Sequence, residues 1–121
     1  MRNAINWFEI PAKNFERAVE FYNQIFETPM HKQEMMGYNM AFFEAEKGVG
    51  GAVIQGQGYE PSDKGVLVYL NGGDDLSVPL SKVEKAGGKV LVPKTLIKEE
   101  IGYFAIFMYT EGNKVAIHSL K

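Results

Sequence analysis

The sequence predicts an α+β fold of two βαβββ modules, because one order of elements runs twice along the chain. Two amphipathic helical stretches, each preceded by one strand and followed by three, lie about 60 residues apart, and a turn-rich segment separates them. The 121 residues are 45% hydrophobic and 23% charged, enough for one domain with a buried core. Module one takes residues 1–57, a linker 58–64 and module two 65–121.

The first strand is expected over residues 5–10. Both of its alternating faces carry large side chains, as on a strand covered from both sides. Pro11 ends it, since proline cannot donate to a ladder. Asn14 can then cap a helix by accepting an orphan amide hydrogen bond. Phe15, Ala18, Val19, Tyr22 and Phe26 fall on one helical face, with Glu16, Arg17, Glu20 and Asn23 on the other. Thr28-Pro29 stops the helix. Strands follow at 30–36, 38–44 and 50–55, separated by the breakers Gly37 and Lys47-Gly48.

The order restarts at 66–70, an apolar β-branched run before the turn Asn71-Gly72-Gly73-Asp74. Leu76, Leu80, Val83 and Ala86 give a second amphipathic helix, with Asp75 or Ser77 as cap and Pro79 tolerated in its first turn. Gly87-Gly88 supplies a left-handed stop. Strands at 89–92 with 95–99, 103–109 and 114–120 complete the module. Residue identity between the halves is negligible, so the repeat is one of pattern.

Composition narrows the partners. Thirteen Lys+Arg against fifteen Asp+Glu give a net charge of −2, without the basic stripe of a nucleic-acid binder. The absence of cysteine excludes disulfides, thiolate metal sites and a cysteine nucleophile, and fits a reducing compartment. No apolar run has the length of a membrane span or a signal peptide. A cytoplasmic protein is the expectation.

Three local stretches carry a family resemblance. Phe8-Glu9-Ile10-Pro11 followed by Asn14-Phe15-Glu16-Arg17-Ala18-Val19-Glu20-Phe21-Tyr22 is similar to an opening strand and its "D-x-x-R-A-x-x-F-Y" helix. Val83-Glu84-Lys85-Ala86-Gly87-Gly88-Lys89-Val90 resembles the exit of the second helix. Glu111-Gly112-Asn113-Lys114-Val115-Ala116-Ile117-His118-Ser119 resembles the final "D-P-x-G-N-x-x-E-L" strand. With the doubled module, the chain resembles the vicinal oxygen chelate superfamily, which contains glyoxalase I, extradiol dioxygenases and bleomycin-resistance proteins. It is most similar to the small glyoxalase-like branch whose opening strand reads "W-F-E-I-P".

The resemblance implies two modules curling around a shared concave face and, in metal-dependent members, a divalent ion held by His and Glu. Transferred residue by residue, those positions hold Trp7, Val53 or Gln55, Leu67 and Ala116. That set lacks the three or four N/O donors an ion needs, so no metal cofactor is expected. The face would instead be lined by Trp7, Glu9, Val53, Gln55, Leu67, Tyr69 and His118, with Phe42 or Phe104 added. This is an apolar, aromatic pocket with a few polar groups. Ligand contacts are expected from Trp7, Gln55, Leu67 and Tyr69.

Glu9, a carboxylate between apolar neighbours, is expected to be paired: with His118 as an acid–base couple, or with Tyr69, Arg2 or a backbone amide. The expected function is sequestration of a small molecule. The alternative is a lyase, isomerase or dioxygenase of the same superfamily using Glu9 and His118 or a non-standard metal site. A homodimer is the family expectation.

Overall fold

The computed structural model describes residues 3–121. Strand β1 (Trp7–Pro11) leads into helix α1 (Phe15–Phe26), then β2 (His31–Met35), β3 (Tyr38–Phe43) and β4 (Gly50–Gln55). The second module repeats the order with β5 (Tyr69–Asn71), α2 (Ser77–Leu80), β6 (Lys89–Lys98), β7 (Gly102–Met108) and β8 (Lys114–Ser119). Each module forms a four-stranded mixed sheet, ordered β1-β4-β3-β2 and β5-β8-β7-β6. In both, the opening strand runs parallel to the closing one at the sheet's edge. Neither sheet closes into a barrel.

Asn14 caps α1 as expected, its side chain accepting from the Arg17 amide at 3.1 Å. Met36 and Gly37, both at positive φ (54° and 85°), form the tight turn between β2 and β3. Three elements depart from expectation. Helix α2 has only four regular residues and continues as hydrogen-bonded turns to Gly87 (φ 102°), because the bonding shifts to i→i−3 pairs at Lys82 (to the Pro79 carbonyl) and Val83 (to the Leu80 carbonyl). Asp75 accepts from the Ser77 amide at 2.8 Å just before that helix, whose cap position is Leu76. Strand β5 has three residues, and β6 is continuous through Pro93 but slips register three times.

One core joins the modules. Ile10, Phe21, Tyr22, Val53, Leu70, Val83, Phe107 and Ile117 belong to a single buried cluster between the helices and one side of each sheet. Phe21 packs on Phe107 and Tyr109 of module two, with ring centroids 5.7 Å apart in each case. Polar contacts reinforce the joint. The Tyr109 hydroxyl donates to the Pro11 carbonyl, and Lys82 pairs with Glu27 across the helix ends. Glu111, its side chain fully buried, accepts from the amides of Lys13 (2.9 Å) and Asn14 (2.6 Å) and from Arg17 Nε (2.6 Å). No helix among the described residues is long and apolar enough to cross a membrane.

Candidate functional site

Alternation and register decide which side chains leave the core. Phe8 and Ile10 turn inward, so Trp7 (44% exposed) and Glu9 project from the opposite face. Strand β1 is therefore covered on one side only, a correction to the expectation of two covered faces, and it is an edge strand. The pairings Trp7 with Gly50, Glu9 with Ala52, Ala52 with Phe42 and Phe42 with His31 place these residues on one outer face. There Phe42 lies 6.1 Å from the Trp7 ring and 6.0 Å from the His31 ring, centroid to centroid.

Gln55 and Val53 fall on the core side instead, because Val53 pairs with Ile10 and residues two apart share a face. Gln55 accepts from Asn39 Nδ2 at 2.9 Å and donates to the Lys13 carbonyl at 3.2 Å. It stitches the start of α1 to the sheet and is not turned to the outer face. The expected frame of β4 was one residue out of phase: Ala52 and Ile54 occupy the outer side.

In module two the expected frame agrees. Tyr69 pairs with Ala116, Asn71 with His118 and His118 with Phe104, while Leu70, Val115 and Ile117 enter the core. Leu67, half-buried, precedes the regular strand. Glu9 and His118, however, answer to different partners. His118 Nε2 lies 2.7 Å from the Ile101 carbonyl. The Glu9 carboxylate acts instead on the Tyr59 hydroxyl, raising that phenol above the ordinary tyrosine range. Tyr59 is itself held edge-on against Tyr38 at 5.5 Å. The Glu9–His118 couple is thus replaced by two separate contacts, and Arg2 lies outside the described residues.

The residues at the family's ion positions do not fit a metal. Trp7 offers an indole, Gln55 faces the core side, and Leu67 and Ala116 offer hydrocarbon. Among the described residues no three His, Asp or Glu side chains converge.

A cavity of about 640 Å³ opens instead where the end of α1 meets the β3–β4 connection and β5. Its floor is aromatic: Phe8, Tyr22, Phe26 and Phe43, with Met30 and Tyr69 at the sides. Tyr22 meets Phe43 edge-on at 4.9 Å, and Phe8 lies 5.5 Å from Phe43. Thr28-Pro29 shapes one lip by ending α1, and the connection through Glu44, Glu46 and Lys47 forms a charged rim. An adjoining open depression shares Phe42 and Phe43 with it and adds Trp7. Of the residues expected at the site, Tyr69 lines the cavity, Trp7 its neighbour and Phe42 both; Glu9, Val53, Gln55, Leu67, Phe104 and His118 line neither.

Tyr22, 1% exposed, carries a buried hydroxyl with no hydrogen-bond partner. Burial, and secondarily Tyr109, push this phenol well above the ordinary tyrosine range. Sequence reasoning placed Tyr22 among core residues. The available signal was that it is the one polar-tipped side chain on the stripe Phe15, Ala18, Val19, Phe26.

No protein-family model and no curated protein matches the sequence. Solved structures do match in fold. A glyoxalase/bleomycin resistance protein/dioxygenase family enzyme from Burkholderia phytofirmans PsJN superposes with a TM-score of 0.70 at 13% identity, over 96% of this chain and 98% of that one. A glyoxalase/bleomycin resistance protein from Albidiferax ferrireducens T118 gives 0.70 at 10% identity, over 97% and 98%. A V278E mutant of glyoxalase I from Zea mays gives 0.67 at 18% identity. This chain covers 95% of itself but spans 45% of that longer enzyme. The doubled βαβββ architecture is therefore the fold seen in the glyoxalase/bleomycin resistance/dioxygenase family structures.

Proposed function

We propose that this protein binds a small, largely apolar molecule in the cavity at the end of α1, without a metal ion. The observation that carries the reading is the cavity's make-up. Some 640 Å³ is walled by Phe8, Tyr22, Phe26, Phe43 and Met30, within the size and composition usual for small-molecule sites. Aromatic walls reward a planar hydrophobic body, since ring pairs add to the gain from burial. Binding rather than acid–base catalysis is favoured because Glu9 and His118 engage Tyr59 and Ile101 separately. The adjoining Trp7, the only tryptophan, gives the site an optical reporter.

Titration with naphthalene-sized aromatic compounds in the presence of EDTA tests this. Saturable binding at one site per chain is expected, and Thr28→Phe, which narrows the mouth at an exposed position, weakens it. Binding that needs added metal, or that ignores Thr28→Phe, would refute the proposal.

A further inference from the structure

The turn after β5 carries a reactive pair as well as a bend. Asn71 is the only asparagine in the chain followed by glycine. Lacking a Cβ and free in its backbone, Gly72 is the successor that least hinders attack of its own amide nitrogen on the preceding side chain. That attack closes a cyclic imide. The Gly72 nitrogen bonds Asn71 Cγ, its proton passes to solvent, and the side-chain nitrogen leaves as ammonia. Water then opens the ring at one carbonyl or the other, leaving aspartate or isoaspartate.

The folded chain keeps the two reactants apart. The Gly72 amide donates to the His118 carbonyl at 2.6 Å. Gly72 is buried and tightly wedged: a Cβ there would lie 2.8 Å from both the His118 carbonyl oxygen and the Leu76 Cβ. The Asn71 side chain, though exposed, accepts from the Gly73 amide through Oδ1 at 2.9 Å, which directs it past Gly72. Reaction therefore requires β5 to leave β8. Strand β5 is suited to that. It has three residues, stands at the edge of its sheet, and buries only Leu70, with Tyr69 and Asn71 exposed. Segments with so few buried contacts open at a cost well below that of global unfolding.

We infer that Asn71 is a hydrolytic modification site controlled by local opening of β5, whatever the neighbouring cavity binds. The folded protein converts slowly, at the lip of that cavity, to aspartate and isoaspartate forms. The two products differ in consequence. Aspartate keeps the normal main chain and an oxygen for the Gly73 amide. Isoaspartate adds a methylene to the main chain and takes Gly72 out of register with the His118 carbonyl.

Peptide mass spectrometry that separates the three forms follows conversion in mildly alkaline buffer, with and without concentrated guanidinium chloride. Equilibrium unfolding of the same samples gives the globally unfolded fraction. Asn71 is expected to convert ahead of the other asparagines in denaturant, and at least about tenfold more slowly when folded. The folded rate should still exceed what the globally unfolded fraction supplies. Leu70→Ala, which removes the one buried anchor of β5, should speed folded-state conversion by more than it raises that fraction, and leave the rate in denaturant unchanged. Equal rates in the folded and unfolded protein would overturn the protection by His118 and Gly73. A folded rate equal to the unfolded rate multiplied by the unfolded fraction would overturn the local opening. Should Leu70→Ala not fold, the wild-type rate at low denaturant decides: a shallow dependence supports local opening, and one as steep as global unfolding overturns it.

Discussion

Replacing Glu111 should loosen the joint between the modules, and the size of the effect can be worked out. Its carboxylate sits in the β7–β8 turn of module two and accepts from the Lys13 and Asn14 amides, Arg17 Nε and the Thr110 hydroxyl (2.9 Å). Burial alone would raise its pKa, but Arg17, the Asn14 and Lys13 amides and Thr110 outweigh burial and hold it below the ordinary 4.5. Arg17 is half exposed, so its ion-pair share is under about 1 kcal/mol after screening. The two backbone amides lose an anionic acceptor at the surface end of α1, where water makes good part of the loss, leaving about 1 kcal/mol each. Glu111→Ala should therefore cost about 2–4 kcal/mol and Glu111→Gln, which keeps one acceptor, about 1–2 kcal/mol. Urea unfolding at neutral pH measures both. Because the folded pKa is depressed, this contribution is fully present above the unfolded value of 4.5 and fades as pH falls through the folded pKa. The gap between wild type and Glu111→Gln should be constant at neutral pH and narrow under acid. A Glu111→Ala loss below about 0.5 kcal/mol, or a gap that does not narrow, would refute the clamp.

Other substitutions probe the outer face and the backbone. Glu9→Gln should bring the Tyr59 phenol down toward its ordinary range, read as an ultraviolet difference titration with Tyr59→Phe as the reference; an unchanged titration would remove Tyr59 as the partner of Glu9. A double-mutant cycle of Glu9→Gln and His118→Ala should be additive within about 0.5 kcal/mol, since the two share no partner, and clear coupling would restore the pair. Gly102→Ala should destabilise by at least 2 kcal/mol or so, because φ is 104° and a Cβ would run into the Ser119 carbonyl. Thermal unfolding near the wild-type midpoint would show that β7 can shift to make room.

Strong local signals were legible in the sequence. The Asn14 cap, the apolar stripe of α1 and the bounds of β4 all follow from short-range chemistry. What failed depended on placement between elements. Val53 and Gln55 were assigned to the outer face by the ligand position that the family resemblance implies at the end of the fourth strand, and six mostly small or apolar residues, Gly50–Gln55, give no polar alternation to check that phase; pairing with β1 fixes it. Glu9 and His118 lie on strands of different sheets, and nothing in either strand reports that Tyr59, in the connecting segment, reaches Glu9 first. The Glu111 motif was read as part of a final strand, yet its carboxylate serves the start of α1, 97 residues away from Asn14. The cavity escaped because most of its aromatic wall, Phe8, Tyr22, Phe26 and Phe43, is core-side and periodicity assigns those residues to packing.

The most direct measurement of the binding site uses the six methionines as position markers. Met30 borders the cavity, whereas Met40 and Met108 lie on the outer faces of the two sheets. Methyl resonances of isotope-labelled methionine would be followed by NMR during titration with 2-acetylnaphthalene in EDTA. Binding at the end of α1 predicts that the Met30 methyl shifts in a saturable manner while those of Met40 and Met108 stay in place. Movement of Met40 and Met108 with Met30 unchanged would put the ligand on the open sheet faces and contradict the account.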